Sequence, residues 1–226
     1  MSYANDKDKE KLLSALDELP LFPLPKVVLF PRALLPLHVF EARYQAMLRD
    51  CLETHSAMAV VLISESEHGG IDVHGRPPIS AVASVGTVVE HQPLEHGRSN
   101  ILVRGVARVR LEELPFVPPY RRARATVLED QEDAVPSTDR TALIGAATAF
   151  AAEVRKCDPM FHFRLPSEAT IGTVADLCAH HLVVDAAARQ AILEELRVGA
   201  RVQRVIRELA LQQRLLGGGA SGGAPN

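Results

Sequence analysis

Two hydrophobic periods divide this chain. From 101 to 111, Ile101, Val103, Gly105, Ala107, Val109 and Leu111 share one parity while Arg104, Arg108 and Arg110 share the other. That two-residue repeat predicts a strand with a buried apolar face and arginines projecting away from it. Gly105, inside it, predicts a bulge. A strand over 82–91 precedes it, joined through a turn around Gly97, and a strand near 122–128 repeats the alternation, with Ala123, Ala125 and Val127 opposite Arg122 and Arg124. Residues 57–63, AMAVVLI, and 26–30, KVVLF between Pro25 and Pro31, are apolar runs of strand length. The stretch 67–78, rich in Gly, Pro and His, is a loop. Between the two apolar runs the period changes. Phe40, Tyr44, Met47, Leu48 and Cys51 fall on one helical stripe, with Glu41, Arg43, Gln45, Arg49 and Asp50 off it.

After residue 128 the strand period disappears. EDQEDAVPSTD, 129–139, is acidic and contains proline, the composition of a linker. Helical spacing then dominates. Ser137 or Thr138 caps a helix carrying Leu143, Ala147, Phe150 and Val154, which Asp158-Pro159 ends; Thr170 caps a second with Ile171, Val174, Leu177, Cys178 and Leu182; Asp185 caps a third with Ile192, Leu193 and Leu196. A last helix aligns Val198, Val202, Val205, Ile206 and Leu209, and leaves Arg197, Arg201, Arg204 and Arg207 mostly outside the stripe. Short strands followed by helices imply an α+β chain: a flexible N-terminus 1–18, a β-rich domain 19–129 with one or two helices, a linker 130–139, a helical bundle 140–216 and a disordered glycine-rich tail 217–226.

The segment LFPLPKVVLFPRALLPLHVFEARY, residues 21–44, is aliphatic yet holds prolines at 23, 25, 31 and 36. Proline removes a ladder donor and breaks helix interiors. These prolines therefore act as punctuation, with Pro25 and Pro31 bounding the 26–30 run and Pro36 fixing an extended approach to the helix.

Composition narrows the function classes. A chain of 226 residues buries enough surface to fold without metal or disulfide staples. Its three cysteines, Cys51, Cys157 and Cys178, form no disulfide framework, and the N-terminus is charged where a signal peptide is apolar. A cytoplasmic protein without membrane spans is expected. A net charge of −3 argues against a general nucleic-acid binder, although seven arginines lie between 98 and 124 against Glu112 and Glu113 alone. Arg104, Arg108, Arg110, Arg122 and Arg124 are the candidates for an anionic ligand. They lack the interleaved aromatics that stack bases, and a solvated strand face is the simpler reading.

No catalytic pattern survives inspection. There is no Gly-Lys dipeptide for a phosphate loop, and GxGxxG and GxSxG matches fall only in the Gly-rich tail, where no strand precedes them. Asp176 with His180, and Cys178 with His181, place two ligand types each on one helix face, short of the three or four that zinc requires. Cys51 falls on an apolar stripe and reads as a structural thiol. No enzyme, cofactor or metal site is expected.

The order of these pieces resembles the Lon-protease N-terminal (substrate-binding) domain: a Phe-Pro strand end, a Pro-Leu segment, Phe40-Glu41 then Arg43-Tyr44 opening a helix, Gly86-Thr87, the run Val103 to Arg110, Pro119-Tyr120, and the final LEELRVGARVQRVIRELALQQRLL. The similarity covers roughly 19–216, and departs from the family at Arg32, where glycine is frequent, and at Ala42, where proline is. It includes neither an ATPase nor a Ser-Lys peptidase module. The resemblance implies a PUA-like β-barrel domain followed by a helical bundle, and a non-catalytic module that recognises unfolded polypeptide segments or partner proteins. On that reading Phe40, Tyr44, Phe161 and Phe163 are the peptide-binding candidates, with inter-domain packing as the alternative use of each. RNA or other nucleic acid, bound through the arginine face, is the second and weaker expectation.

Overall fold

The computed structural model describes residues 13–64, 71–72 and 75–218, so residues 1–12 of the N-terminus, 65–70 and 73–74 in and before the 67–78 loop, and the tail from 219 lie outside the described residues. Two compact units meet in sequence at Glu129 and Asp130.

The first unit is a six-stranded mixed sheet with a helix between its second and third strands. Its elements are β1 (Leu19–Leu24), β2 (Leu34–Val39), α1 (Ala42–Glu53), β3 (Ala57–Leu62), β4 (Val82–Pro93), β5 (Ser99–Glu113) and β6 (Arg122–Leu128). The strand order is β2-β5-β4-β3-β1-β6, and β6 also pairs with β5, so the pairings return on themselves and leave β2 outside the ring. β1 and β3 are parallel; the other pairs are antiparallel.

The expected strand at 26–30 is absent, and β1 lies before it. Lys26 takes φ +58 in a turn, and Val28, Leu29 and Phe30 are buried without joining a ladder. An apolar run reports burial, and here burial comes from packing against β5. β1 accepts Pro20 and Pro23 because neither removes a bond. The Leu21 amide donates to the Arg121 carbonyl, so odd residues of β1 turn their backbone toward β6, whose pairing covers only Leu19 and Pro20. Pro23 lies beyond it. Even residues turn toward β3, whose pairing begins at Leu21, so Pro20 lies ahead of it.

Leu19, Leu21, Ala57, Ala59, Val61, Ala83, Val85, Ala107, Val109, Leu111, Ala123 and Ala125 form one core cluster, drawn from alternate residues of the ring strands. Half of these twelve are alanine, whose small side chains let the strands pack closely over one cluster. The bulge falls where Gly105 predicts it: between the pairs Val85↔Ala107 and Gly86↔Gly105, Val106 has no partner on β4. On α1 the stripe is Tyr44, Met47, Leu48 and Cys51. Phe40, expected on that stripe, precedes the helix and is 61% exposed, since the chain is still extended at Glu41.

The second unit contains α2 (Ser137–Cys157), α3 (Ile171–Leu182), α4 (Ala186–Glu194) and α5 (Val198–Gly218). Thr170 and Asp185 cap α3 and α4 as expected, their side chains accepting from the Thr173 amide at 3.3 Å and the Ala188 amide at 2.7 Å. α2 starts differently. Pro136 occupies its N-cap, Ser137 is already helical and no side chain caps the end. The acidic stretch expected to be a linker is partly fixed to its own unit: Gln131 exchanges backbone hydrogen bonds with Leu196 and Val198, and the Gly199 amide donates to Asp133 at 2.7 Å at the start of α5.

Candidate functional site

The exposed face of β2 and its neighbours is set by one local irregularity. Arg32 stands at φ +67, its amide donates to the Gly105 carbonyl at 2.8 Å, and the Gly105 amide donates to the Ala33 carbonyl at 2.9 Å. Two residues thus oppose one, with the first in the left-handed region: a G1-type bulge, carrying arginine where glycine is preferred. The bulge sets the phase of β2. Ala33 turns its backbone toward β5, so Leu35, Leu37 and Val39 do the same, while the backbones of Leu34, Pro36 and His38 face the open edge. Pro36, without an N–H, occupies a position where β5 asks for none.

Side chains alternate accordingly. Leu34, Pro36, His38 and Phe40 are exposed, Leu35 and Leu37 are half-buried, and Val39 is buried. Across the strands Leu34 pairs in register with Arg104, Pro36 with Leu102 and His38 with Asn100. The last pair starts a polar row: His38 Nδ1 and Asn100 Oδ1 are 2.8 Å apart, and Asn100 Nδ2 donates to Gln92 Oε1 at 3.5 Å. The His38 and Phe40 rings stack with centroids 5.9 Å apart, and Gln45 Nε2 from α1 donates to the Phe40 carbonyl at 2.9 Å. The result is an apolar strip, Leu34, Pro36 and Phe40, edged by hydrogen-bonding groups on a sheet framework.

The other aromatic candidates occupy different surroundings. Tyr44 is buried against Phe22, ring centroids 4.4 Å apart, and burial pushes its phenol above the usual range. Phe161 and Phe163 are half-exposed in the segment between α2 and α3, and Phe163 approaches the His181 ring at 5.9 Å.

The five candidate arginines do not form one face. Arg104, Arg110 and Arg124 are exposed, and Arg124 lies opposite Glu112. Arg108, expected to project into solvent, is 3% exposed. Its register neighbour Ser84, and Val60 beyond it, are buried as well, so this part of the sheet is covered on both faces. Arg122 is half-buried and lies over the Tyr120 ring, donating to its hydroxyl at 3.1 Å; that hydroxyl donates to Asp50 Oδ2 at 2.5 Å. Burial, then the Asp50 bond, pushes the Tyr120 phenol up. Arg121 is committed to Glu113, with its Nη1 donating to the Pro77 carbonyl at 2.7 Å.

The strongest polar cluster lies where sequence reading placed a surface arginine. Arg201 is fully buried in α5. It grips Asp130 with both terminal nitrogens, at 2.9 and 2.6 Å, donates to the Glu195 carbonyl at 3.0 Å, and its Nε stands 3.1 Å from Asp176 Oδ1. Gly172 makes room, since a Cβ there would lie 2.9 Å from Arg201 Nη2. The signal was in the helical period: Arg201 falls between Val198, Val202 and Val205 on the apolar stripe, and a charge there must find a partner. Asp176 is therefore engaged with Arg201, and among the described residues no group of three or more His, Cys, Asp or Glu is arranged to hold a metal. Cys51 and Cys178 are buried, and burial pushes both thiols up to about 12. No helix among the described residues is long and apolar enough to cross a membrane.

The substrate-binding domain model of the ATP-dependent protease La (LON) matches residues 18–210. The Lon protease of Roseiflexus castenholzii is 28% identical over 206 residues, and that of Anaeromyxobacter dehalogenans likewise; each alignment takes in 88% of this chain and 24% of the relative. The chain thus spans about a quarter of the curated relatives it matches. Among solved structures, a Lon N-terminal domain protein from Xanthomonas campestris superposes with a TM-score of 0.61 over 84% of this chain and 97% of that one, at 23% identity. The N-terminal domain of a Mycobacterium avium complex Lon protease gives 0.58 over 86% and 98%, at 15% identity. The fold is that of the Lon N-terminal domain, a mixed sheet with helices, and the chain belongs to the LON substrate-binding domain family.

Proposed function

We propose that this member of the Lon substrate-binding family is a non-catalytic module that binds extended or unfolded polypeptide segments in the cytoplasm, serving substrate recognition or acting as an adaptor between proteins. The observation that carries the reading is the exposed strip Leu34, Pro36 and Phe40 on the sheet of a domain whose family is described as substrate-binding. Exposed apolar side chains rimmed by hydrogen-bonding groups suit a partner that offers side chains and backbone together. Phe161 and Phe163, half-exposed, are separate apolar candidates on the helical unit, while Tyr44, buried against Phe22, anchors α1. We take the ring of strand pairings as a PUA-like barrel and the four helices as a bundle, with domain limits near 19–129 and 140–216.

Fluorescence polarisation with a labelled, reduced and carboxymethylated polypeptide tests this. Phe40→Ala, removing a side chain that would bury about 2 kcal/mol of contact, lowers affinity by roughly 30-fold if Phe40 is fully engaged, with the melting temperature unchanged because the ring is exposed. A folded protein that binds no unfolded polypeptide refutes the reading. A second reading, nucleic-acid binding, is favoured by the exposure of Arg104, Arg110 and Arg124. It requires salt-sensitive RNA affinity that Arg110→Glu with Arg124→Glu abolishes.

A further inference from the structure

The geometry points to the outer edge of β2 as the place where a polypeptide docks, by adding an extended strand to the sheet. This rests on the polypeptide-binding reading above and specifies how the segment is held. The G1 bulge at Arg32 and Ala33 gives the pattern of free backbone groups. Toward the edge stand the N–H and C=O of Leu34, the C=O of Pro36, and the N–H and C=O of His38; among the described residues β2 pairs with β5 alone. Three acceptors and two donors at strand spacing match the backbone of a segment in β conformation, and a helix, whose backbone bonds are satisfied internally, does not offer that row.

The side chains and charges match the same occupant. Leu34, Pro36, His38 and Phe40 project from β2 on its exposed face, so apolar residues at every second position of an added strand lie beside them. At the Leu34 end the backbones of Arg32 and Arg104 are adjacent, both residues are exposed, and neither makes an ion pair among the described residues. At the other end Glu41 is already paired with Arg43 at 2.7 Å. Exposed Arg98, next to the Ser99–Val39 pair, adds positive charge at that end, so the edge carries arginines at both ends and favours a segment with acidic residues at a terminus. Pro36 limits the edge as well as opening it. Its missing N–H leaves one carbonyl of the guest without a donor, so the edge holds a guest with fewer bonds than a complete ladder.

The test uses the full chain and a fluorescein-labelled heptapeptide of alternating valine and threonine with two aspartates at one terminus. Two further versions carry N-methyl groups on even-numbered or on odd-numbered amides. An added strand uses one alternate set of amides only, so one methylated peptide loses at least about tenfold in affinity while the other stays within about twofold of the parent. Pro36→Val restores the missing donor and raises affinity by about threefold to tenfold, and Leu34→Pro lowers it by a similar factor. Circular dichroism establishes that each variant is folded. Equal binding of the two methylated peptides, or indifference to Pro36→Val, overturns strand addition while leaving polypeptide binding standing. Failure of both the parent peptide and an unfolded carboxymethylated protein to bind removes both. Sedimentation of the free protein covers the remaining occupant: an edge-to-edge dimer that Pro36→Val tightens and the peptide does not displace would overturn the choice of guest.

Discussion

Gly105→Ala is the substitution that most directly tests how the first unit is assembled. A Cβ on residue 105 would lie 2.0 Å from the Phe30 carbonyl oxygen, 2.9 Å from its carbon and 3.3 Å from Leu29 Cγ. The oxygen belongs to backbone, which has no rotamer by which to move aside, so the 28–33 segment must retreat from β5 by roughly 1 Å or more to reach ordinary contact. That retreat pulls on two hydrogen bonds, Arg32 amide to Gly105 carbonyl at 2.8 Å and Gly105 amide to Ala33 carbonyl at 2.9 Å. Each is worth about 1 kcal/mol, and the overpacking adds about 1–3 kcal/mol. We expect a loss of about 3–5 kcal/mol, and a fall in melting temperature of about 10 °C or more for a unit of this size. Chemical denaturation followed by circular dichroism measures it. Gly145→Ala is the control: nothing stands within 4 Å of a Cβ there and the residue lies inside α2, so it gains about 0.5–1 kcal/mol. If Gly105→Ala unfolds within about 0.5 kcal/mol of the wild type, the close approach of Phe30 to β5 is wrong, and with it the bulge that sets the phase of β2.

Arg201→Ala leaves Asp176 and Asp130 without their buried counter-ion and should cost about 3–5 kcal/mol in urea unfolding of the helical unit; Arg201→Lys, which cannot hold Asp130 with two nitrogens, should recover only part of it. Arg32→Gly relieves a left-handed arginine and should stabilise the sheet unit by about 1–2 kcal/mol in urea unfolding. Thiol titration should find Cys157 reacting at once, with Cys51 and Cys178 reacting only as fast as the protein opens. Burial raises both buried thiols from an ordinary 9.0 to about 12, so the folded state keeps those protons longer than the unfolded one; the stability this adds is complete below pH 9 and is lost as pH climbs toward 12. The urea midpoint should fall across that window, and Cys51→Ala with Cys178→Ala should flatten the fall.

What the sequence disclosed, it disclosed through periodicity and through side chains that act locally. β6 occupies 122–128 as its alternation requires, Thr170 and Asp185 cap as their positions before apolar stripes suggest, and the bulge falls at Gly105. What stayed hidden depends on partners distant in sequence. Val28, Leu29 and Phe30 are as apolar as a strand, yet their place is fixed by the absent side chain of residue 105. The acidic run after Leu128 has the composition of a linker, but Asp130 is held by an arginine 71 residues away. Arg201 itself shows the limit of averaging: four arginines spaced along a helix suggest a solvated side, and only the one that interrupts the valine stripe is drawn inward.

The same reasoning explains why the proposed binding edge was legible in part. The exposed residues 34, 36, 38 and 40 alternate with half-buried or buried ones at 35, 37 and 39, but LLPLHV contains leucines at both parities and a proline between them, so no hydropathy period marks it as a strand. The proline, the strongest argument against a strand, is what identifies its outer side once the phase is known: a residue without an N–H fits only where the ladder does not ask for one. A strand whose open side is interrupted at its centre resists indiscriminate pairing with other edges, yet still offers Leu34 and His38 on either side of the gap. Replacing Pro36 therefore separates two properties that the wild-type edge combines. It should strengthen capture of an extended guest and, in the same protein, increase self-association at high concentration.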